Sequence, residues 1–316
     1  MNELKGKVLL APMAGVTNEP FRISLKRLGL EVSFTEMISV EGLYRKIKRT
    51  VDLIDIKEEP PIIIPQLFGT NIDAFLNSIE ILIKRGFKIV DINLGCPAKK
   101  IVKKGAGVAL MKHPELIQKI VYEIKKRFDI KLTAKLRLGF DEESMNYLEI
   151  VNILYNEGID AITLHPRFGK QYYSGKANWY HIKVIKKRFK NLFVIGNGDI
   201  KTPEDIRKIF DYTGCDAVMI GRAFMENPFL ILQWKEFLKK GEYKKYSIKE
   251  RIEYFKTLLD LFCRFYGEEK AFKISVKHII HLTKGEYKSA RFREKISKIK
   301  NYVEFLKEIS YWDKDG

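Results

Sequence analysis

Cysteine is scarce. Only Cys96, Cys215 and Cys263 occur in 316 residues, with no CxxC pair and no histidine at metal-ligand spacing. That excludes a disulfide scaffold, argues against a metal site and suits a reducing, cytoplasmic setting. Long hydrophobic runs are also missing. None approaches the roughly 18 apolar residues of a spanning helix, so no membrane partner is expected. The apolar stretch from Val8 to Val16 is short and interrupted by Pro12 and Gly15, which suits a first strand and its loop rather than a signal peptide. Glutamine appears only four times, and acidic residues are outnumbered, 40 Asp+Glu against 58 Lys+Arg, for a formal net charge of +18. Such a balance favours a polyanionic partner. A plainer source is a lysine-rich composition, since 43 of the cations are lysine.

What is present is a core. With 46% hydrophobic and 31% charged residues, wholesale disorder is excluded. Short apolar runs recur at Val8–Leu10, Val32–Phe34, Ile62–Ile64, Ile89–Ile92, Leu132–Leu136, Ala161–Leu164, Leu192–Ile195 and Ala217–Ile220. Between them lie segments of helical periodicity, among them Ile72–Lys84, Pro114–Arg127, Ser144–Asn156 and Pro203–Phe210. Buried strands alternating with helices specify a parallel sheet with right-handed crossovers, and eight such units match a closed (β/α)8 barrel, the TIM-barrel class. After Asn227-Pro228 the strand signals stop. Helices are expected at Leu230–Lys239, Ile248–Tyr266, Ala271–Thr283 and Arg291–Ile309, read as a smaller C-terminal helical bundle. The division is therefore 1–229 for the barrel and 230–316 for the bundle. Residues 231–316 carry +8 in 86 residues, against +10 in the other 230, so the bundle is the more basic part.

In such barrels the chemistry sits at the C-terminal ends of the strands. Those ends read Pro12-Met13-Ala14-Gly15, Glu36, Gln66, Asn93-Leu94-Gly95-Cys96-Pro97, Lys135-x-Arg137, His165, Asn197-Gly198-Asp199 and Gly221-Arg222. Every one carries polar groups or glycines. Gly198 and Gly221-Arg222, after the seventh and eighth strands, suit a phosphate cradle, with ordinary turn glycines as the rival. Lys135 ends an apolar strand, where an unpaired ammonium is costly; a bound anion, an electron-rich ring or a salt bridge would each offset that cost. Gln66 offers a donor and an acceptor to a heterocycle edge. His165 is either a satisfied structural histidine or a catalyst.

Cys96 is the sharpest feature. It lies in a Gly-Cys-Pro turn followed by Lys99, Lys100, Lys103 and Lys104. Cys215 and Cys263 read as small buried hydrophobes. Around Cys96 the cations favour thiolate character and attract an anion, leaving nucleophile and proton donor both open. No Ser/His/Asp or Cys/His/Asn order points to a hydrolase.

The ordered segments Ala11-Pro12-Met13-Ala14-Gly15-Val16-Thr17-Asn18, Asp91-Ile92-Asn93-Leu94-Gly95-Cys96-Pro97, Gly105-Ala106-Gly107, Lys135-Leu136-Arg137, His165-x-Arg167, Gln171-x-Tyr173-x-Gly175-x-Ala177-x-Trp179, Gly196-Asn197-Gly198-Asp199 and Met219-Ile220-Gly221-Arg222 resemble the tRNA-dihydrouridine synthase family. The resemblance runs through the whole barrel and weakens in the bundle, where a Lys277-His278 pair is similar. One departure is Phe168-Gly169, where an Arg-Thr pair is usual.

The resemblance implies a non-covalent FMN at the barrel mouth, reduced by NADPH, with hydride passing to C6 of a tRNA uridine and Cys96 protonating C5. It assigns Pro12, Met13, Ala14 and Gln66 to the flavin ring, and Lys135 and His165 to its polar edge and ribityl region. Asn197, Gly198 and Asp199 with Gly221 and Arg222 fall at the phosphate end. Asn93 and Arg137 would hold the uracil. The partner implied is tRNA, gripped chiefly by the bundle. Two rivals stand beside this: a small-molecule FMN oxidoreductase of the dihydroorotate-dehydrogenase type, and a non-catalytic tRNA-binding protein.

Overall fold

The computed structural model describes residues 1–56, 60–286 and 289–315, with side chains through Ser310. Eight parallel strands close into a barrel in sequence order: β1 Val8–Leu10, β2 Val32–Ser39, β3 Ile62–Phe68, β4 Ile89–Leu94, β5 Lys131–Leu136, β6 Ala161–Leu164, β7 Phe193–Asn197 and β8 Ala217–Ile220. Around and after them run α1 Glu19–Arg27, α2 Val40–Tyr44, α3 Lys48–Val51, α4 Ile72–Lys84, α5 Lys99–Val102, α6 Pro114–Arg127, α7 Tyr147–Asn156, α8 Tyr180–Arg188, α9 Pro203–Thr213, α10 Ala223–Glu226 and α11 Leu230–Lys240. Four more helices close the chain: α12 Ile248–Tyr266, α13 Glu268–Leu282, α14 Ser289–Lys298 and α15 Tyr302–Asp315.

The period-2 alternation of each strand sorts its residues between two environments. Leu132, Ala134 and Leu136 of β5 join the large core between barrel and helices. A separate apolar layer built from Leu9, Phe34, Ile64, Ile89, Ile195 and Met219 fills the barrel below its mouth. Two residues further along the same faces the chemistry turns polar, at Gln66, Asp91, Thr133 and Thr163, all fully buried. The barrel is thus plugged beneath a polar upper end.

The expected helices α4 and α6 have the predicted bounds. The side chain of Asn71 caps α4 through the Ala74 N–H at 2.8 Å, and α9 opens on a capping box between Thr202 and Asp205. α7 starts three residues later than the periodicity predicts. Asp141 and Ser144 bond to each other instead, Ser144 Oγ donating to Asp141 Oδ1 at 2.6 Å, and such local side-chain bonds compete with helix. β2 is longer than expected because its polar Thr35-Glu36 step is a register shift between Phe34 and Met37 rather than a strand end.

The C-terminal part departs more. The helix expected over Arg291–Ile309 is two, α14 and α15, parted at Asn301, whose Oδ1 accepts from the Glu304 N–H at 2.9 Å and starts the second. Helix α11, expected as the bundle's first member, packs against α9 of the barrel, where Trp234 stacks on Phe210 with centroids 6.4 Å apart. Helices α12 to α15 pack on one another, through Phe255, Phe272 and Phe305 among others. α12 also meets α1, with Tyr254 and Ser24 hydroxyls 2.7 Å apart, and α13 meets α10. Among the described residues no helix is long and apolar enough to cross a membrane, and no three His, Cys, Asp or Glu side chains could hold a metal ion.

Candidate active site

The strand ends open into one cavity of about 1050 Å³. Its wall includes every residue assigned a role above: Pro12, Met13, Ala14, Gln66, Asn93, Cys96, Lys135, Arg137, His165, Asn197, Gly198, Asp199, Gly221 and Arg222. Strand period explains much of this. Thr133, Lys135 and Arg137 lie on one face of β5 and its extension, and Asp91 and Asn93 on the matching face of β4, with Asn93 in register with Lys135. Glu36 is not in the wall. Its carboxylate accepts from the Gly15 N–H and ties down the β1 loop, while Met37 takes the place facing the cavity.

Cations dominate the electrostatics. Lys135, Arg137 and Arg222 all reach the cavity, and among the described residues none is ion-paired with a carboxylate. Burial, with help from Arg137, pushes the Lys135 ammonium down to about 8, offset in part by Asp91 and Cys96. The expected alternative of a salt bridge at Lys135 is not what the fold provides. Burial likewise lowers the Arg137 guanidinium to about 10. Burial also lowers His165 well below the usual imidazole range, assisted by Lys135, Arg137, Arg167 and Arg222. Arg167 Nη1 donates to His165 Nε2 at 3.1 Å; a guanidinium only donates, so the neutral ring carries its proton on Nδ1.

Cys96 differs from the thiolate that its lysine-rich loop suggests. It is half-buried, and burial raises its thiol above the ordinary range despite a backbone contact at Ala98 and the charges of Arg137 and Lys135. Lys99, Lys100, Lys103 and Lys104 are exposed to solvent instead. The group is therefore a protonated thiol at neutral pH, which favours the proton-donor reading over the nucleophile. Its turn is held by Asn93 Oδ1, which accepts from the Gly95 and Cys96 N–H groups at 3.1 and 2.9 Å. Gly107 is packed so closely that a Cβ there would meet the Cys96 carbonyl oxygen at 2.5 Å.

Several predicted side chains are already engaged. Asn93 Nδ2 donates to Gln66 Oε1, and Gln66 Nε2 to Asp91 Oδ2, each at 2.7 Å. Asn197 Nδ2 donates to the Met219 carbonyl at 2.7 Å, tying β7 to β8. The Asp199 carboxylate takes both oxygens to Arg167 Nη2, at 2.8 and 2.9 Å, and accepts from the Ala177 N–H.

The fold adds residues that the strand ends do not announce. Arg167 is buried and binds Asp199, the Ser174 and Gly175 carbonyls and His165, so one guanidinium organises the loop over the mouth. The available signal was its place two residues beyond His165, in the His165-x-Arg167 segment that resembles the family. Tyr173 from that loop lies 4.2 Å from Arg222 and 5.8 Å from Arg137 by ring centroid. At the Phe168-Gly169 departure, a Cβ on Gly169 would meet Val108 at 2.9 Å, and the backbone carbonyl of residue 168 accepts from Arg137 Nη1 at 2.8 Å. From α13, Lys277 and His281 face the cavity four residues apart, and Lys284 joins them from the turn that follows. His278 turns away, buried between the rings of Phe21 and Phe262.

The dihydrouridine synthase family model matches residues 9–313. The chain is 32% identical over 305 residues to tRNA-dihydrouridine synthase B of Pasteurella multocida (strain Pm70), covering 96% of this chain and 92% of that relative. It is 33% identical over 312 residues to tRNA-dihydrouridine synthase B of Yersinia pestis, covering 97% and 96%. A probable tRNA-dihydrouridine synthase of Aquifex aeolicus (strain VF5) is 34% identical over 314 residues, covering 98% and 96%. The match takes in the eight strands, the thiol-bearing turn and the helices that follow, and the chain belongs to the dihydrouridine synthase family.

Proposed function

We propose that this chain reduces specific tRNA uridines to 5,6-dihydrouridine, with FMN held non-covalently in the barrel mouth, NADPH as reductant and Cys96 as proton donor. One observation carries the reading: a half-buried thiol, which burial keeps protonated, faces the same cavity as three cations that have no carboxylate partner among the described residues. A flavin fits that wall. Lys135 would lie at the electron-rich ring and Arg222 at the phosphate, beside Gly221. FMN supplies the hydride that the uracil takes up at C6.

The protein's part is to hold the base and deliver a proton. Asn93 Oδ1 is saturated by two backbone donors, so what Asn93 offers a ligand is N–H. That N–H now rests 3.1 Å from the Met37 thioether, a weak acceptor that a uracil carbonyl would displace. Arg137 offers a second donor. The Cys96 S–H gives its proton to C5 as the hydride reaches C6. The thiolate left behind is stabilised by Lys135 and Arg137 and regains a proton from water. A base stacked in folded tRNA must first leave its stack. Lys277, His281 and Lys284 at the rim, with helices α12 to α15 behind them, would take the phosphate backbone. A small-molecule substrate has no use for such a rim, which disfavours the dihydroorotate-type reading. An unpaired Lys135 is costly to a protein that only binds RNA.

Protein purified without added cofactor should show a flavin spectrum and release FMN on acid treatment. tRNA from a strain lacking the protein should lack dihydrouridine at one or more positions, restored by the wild-type copy. No bound flavin, release of FAD, or an unchanged dihydrouridine map would contradict the proposal.

A further inference from the structure

Beneath Cys96 lies a hydrogen-bonded chain whose direction is imposed from both ends. At one end, backbone N–H groups of Gly95 and Cys96 can only donate, so the atom of Asn93 facing them is oxygen. At the other, Thr133 Oγ1 donates to Asp91 Oδ1 at 2.5 Å and Gln66 Nε2 donates to Asp91 Oδ2 at 2.7 Å. An ionised carboxylate only accepts. Between the ends, Asn93 Nδ2 meets Gln66 Oε1 at 2.7 Å. Reversing either amide would set donor against donor or acceptor against acceptor. Gln66, Asp91 and Thr133 lie side by side on β3, β4 and β5, all fully buried.

We infer that Asp91 is the positioning residue of this site: its carboxylate orients Gln66, Gln66 orients Asn93, and Asn93 holds the turn that carries the Cys96 thiol. Asp91 touches none of the reacting atoms and acts only through this chain. The inference rests on the proposed reaction for its kinetic consequence, but the ordering of the turn stands apart from it. The acid–base consequence follows from the surroundings. Burial raises the Asp91 carboxyl to about 6, against the opposing pull of Thr133, Gln66 and, among the described residues, the charge of Lys135 of β5. Protonation removes the charge that strengthens the bond from Gln66 and lets the carboxyl present a donor in place of an acceptor, so the demand on Gln66 weakens. Positioning is therefore complete above that range and is lost as pH falls through it.

Asp91→Asn tests this, because an amide presents both a donor and an acceptor and no longer enforces one direction. Two readouts use FMN-loaded protein. The first is flavin re-oxidation by unmodified tRNA in a single turnover from pH 5 to 8. The second is carbamidomethylation of Cys96 by iodoacetamide, followed by mass spectrometry with Cys215 and Cys263 as internal references. In the wild type the single-turnover rate should fall below about pH 6. In Asp91→Asn it should be slower by on the order of tenfold at pH 7.5, without that fall, and Cys96 should alkylate several-fold faster than in the wild type. Thr133→Val removes a donor that favours the ionised carboxylate, so the fall should move to higher pH. A merely structural role would not move it. An Asp91→Asn protein that keeps the wild-type rate and its fall, or that alkylates Cys96 no faster, overturns the inference. If instead the wild type neither binds FMN nor turns over tRNA, the proposed function fails, and the alkylation comparison still decides on Asp91.

Discussion

At the scale of the residue, burial sets the chemistry of Cys96. A thiol raised above its ordinary range stays protonated through neutral pH, so Cys96 itself should impose no alkaline decline until pH passes the usual thiol range, whereas loss of the Lys135 proton at about 8 should begin one earlier. Cys96→Ala should keep FMN and its reduction by NADPH while slowing the tRNA-dependent step by about 10²–10⁴-fold, the usual cost of removing a general acid. Stopped-flow measurement of the two half-reactions separates these outcomes. Arg167 is buried with Asp199 as its only carboxylate partner among the described residues. Removing it should cost about 3–5 kcal/mol, as for a broken buried pair, seen as a fall of several degrees in melting temperature. Asp199→Asn, at the half-buried end, should cost less. Asp91 carries a sign of its own. Its folded pKa lies above the unfolded one, so this carboxyl contributes stability at low pH that is lost as pH rises through about 6. Asp91→Asn should accordingly melt no lower than the wild type at pH 7.5. Strand ends made fourteen of the wall residues legible, because chain direction and period 2 fix which side chains reach the mouth. Their partners were not: no spacing in the sequence announces that Asn93, Gln66 and Asp91 bond to one another, since that depends on strand register across three strands.

At the scale of the element, the cations expected to grip RNA are unevenly available. Lys273, Lys295 and Lys298 pair with Glu269, Glu308 and Glu294, while Lys284 pairs with Glu226 and Arg293 with the Thr283 carbonyl and Ser289. Lys288 of the same basic segment lies outside the described residues. Exposed pairs of this kind are weak and a phosphate can displace them. Lys277 at the rim and Lys99, Lys100, Lys103 and Lys104 of the α5 loop have no carboxylate partner among the described residues. Neutralising Lys277, Lys284, Lys288, Arg291 and Arg293 to glutamine should flatten the salt dependence of tRNA binding, by roughly 0.7–0.9 in log–log slope for each phosphate no longer neutralised. A parallel Lys99, Lys100, Lys103 and Lys104 variant should flatten it too. Filter binding from low to moderate salt measures both, and an unchanged slope in the first set moves the grip to the second. Helices α4, α6 and α12 were readable to the residue because caps and proline mark their starts. The break at Asn301 was not, since Ile299 and Tyr302 continue the apolar stripe and hide the cap between them.

At the scale of the whole molecule, one apolar cluster runs from Val8 of the barrel to Ile309 of α15. The barrel and the helices behind it share a core, through Ser24 to Tyr254 and Phe21 to His278. The eightfold alternation made the closed barrel legible; the docking of α11 on α9 was not, because amphipathic helices carry no address for the surface they cover. Lys277, His281 and Lys284 share one opening with the thiol, and the proposed reaction stands on that conjunction. The most direct test is a single turnover. Protein loaded with FMN is reduced with one equivalent of NADPH without oxygen, then mixed with unmodified tRNA, while flavin absorbance and dihydrouridine are followed together. The expected result is re-oxidation that depends on tRNA, one dihydrouridine per flavin re-oxidised, and loss of both in Cys96→Ala with flavin still bound. Flavin that stays reduced in the presence of unmodified tRNA, or re-oxidation at the wild-type rate in Cys96→Ala, would contradict it.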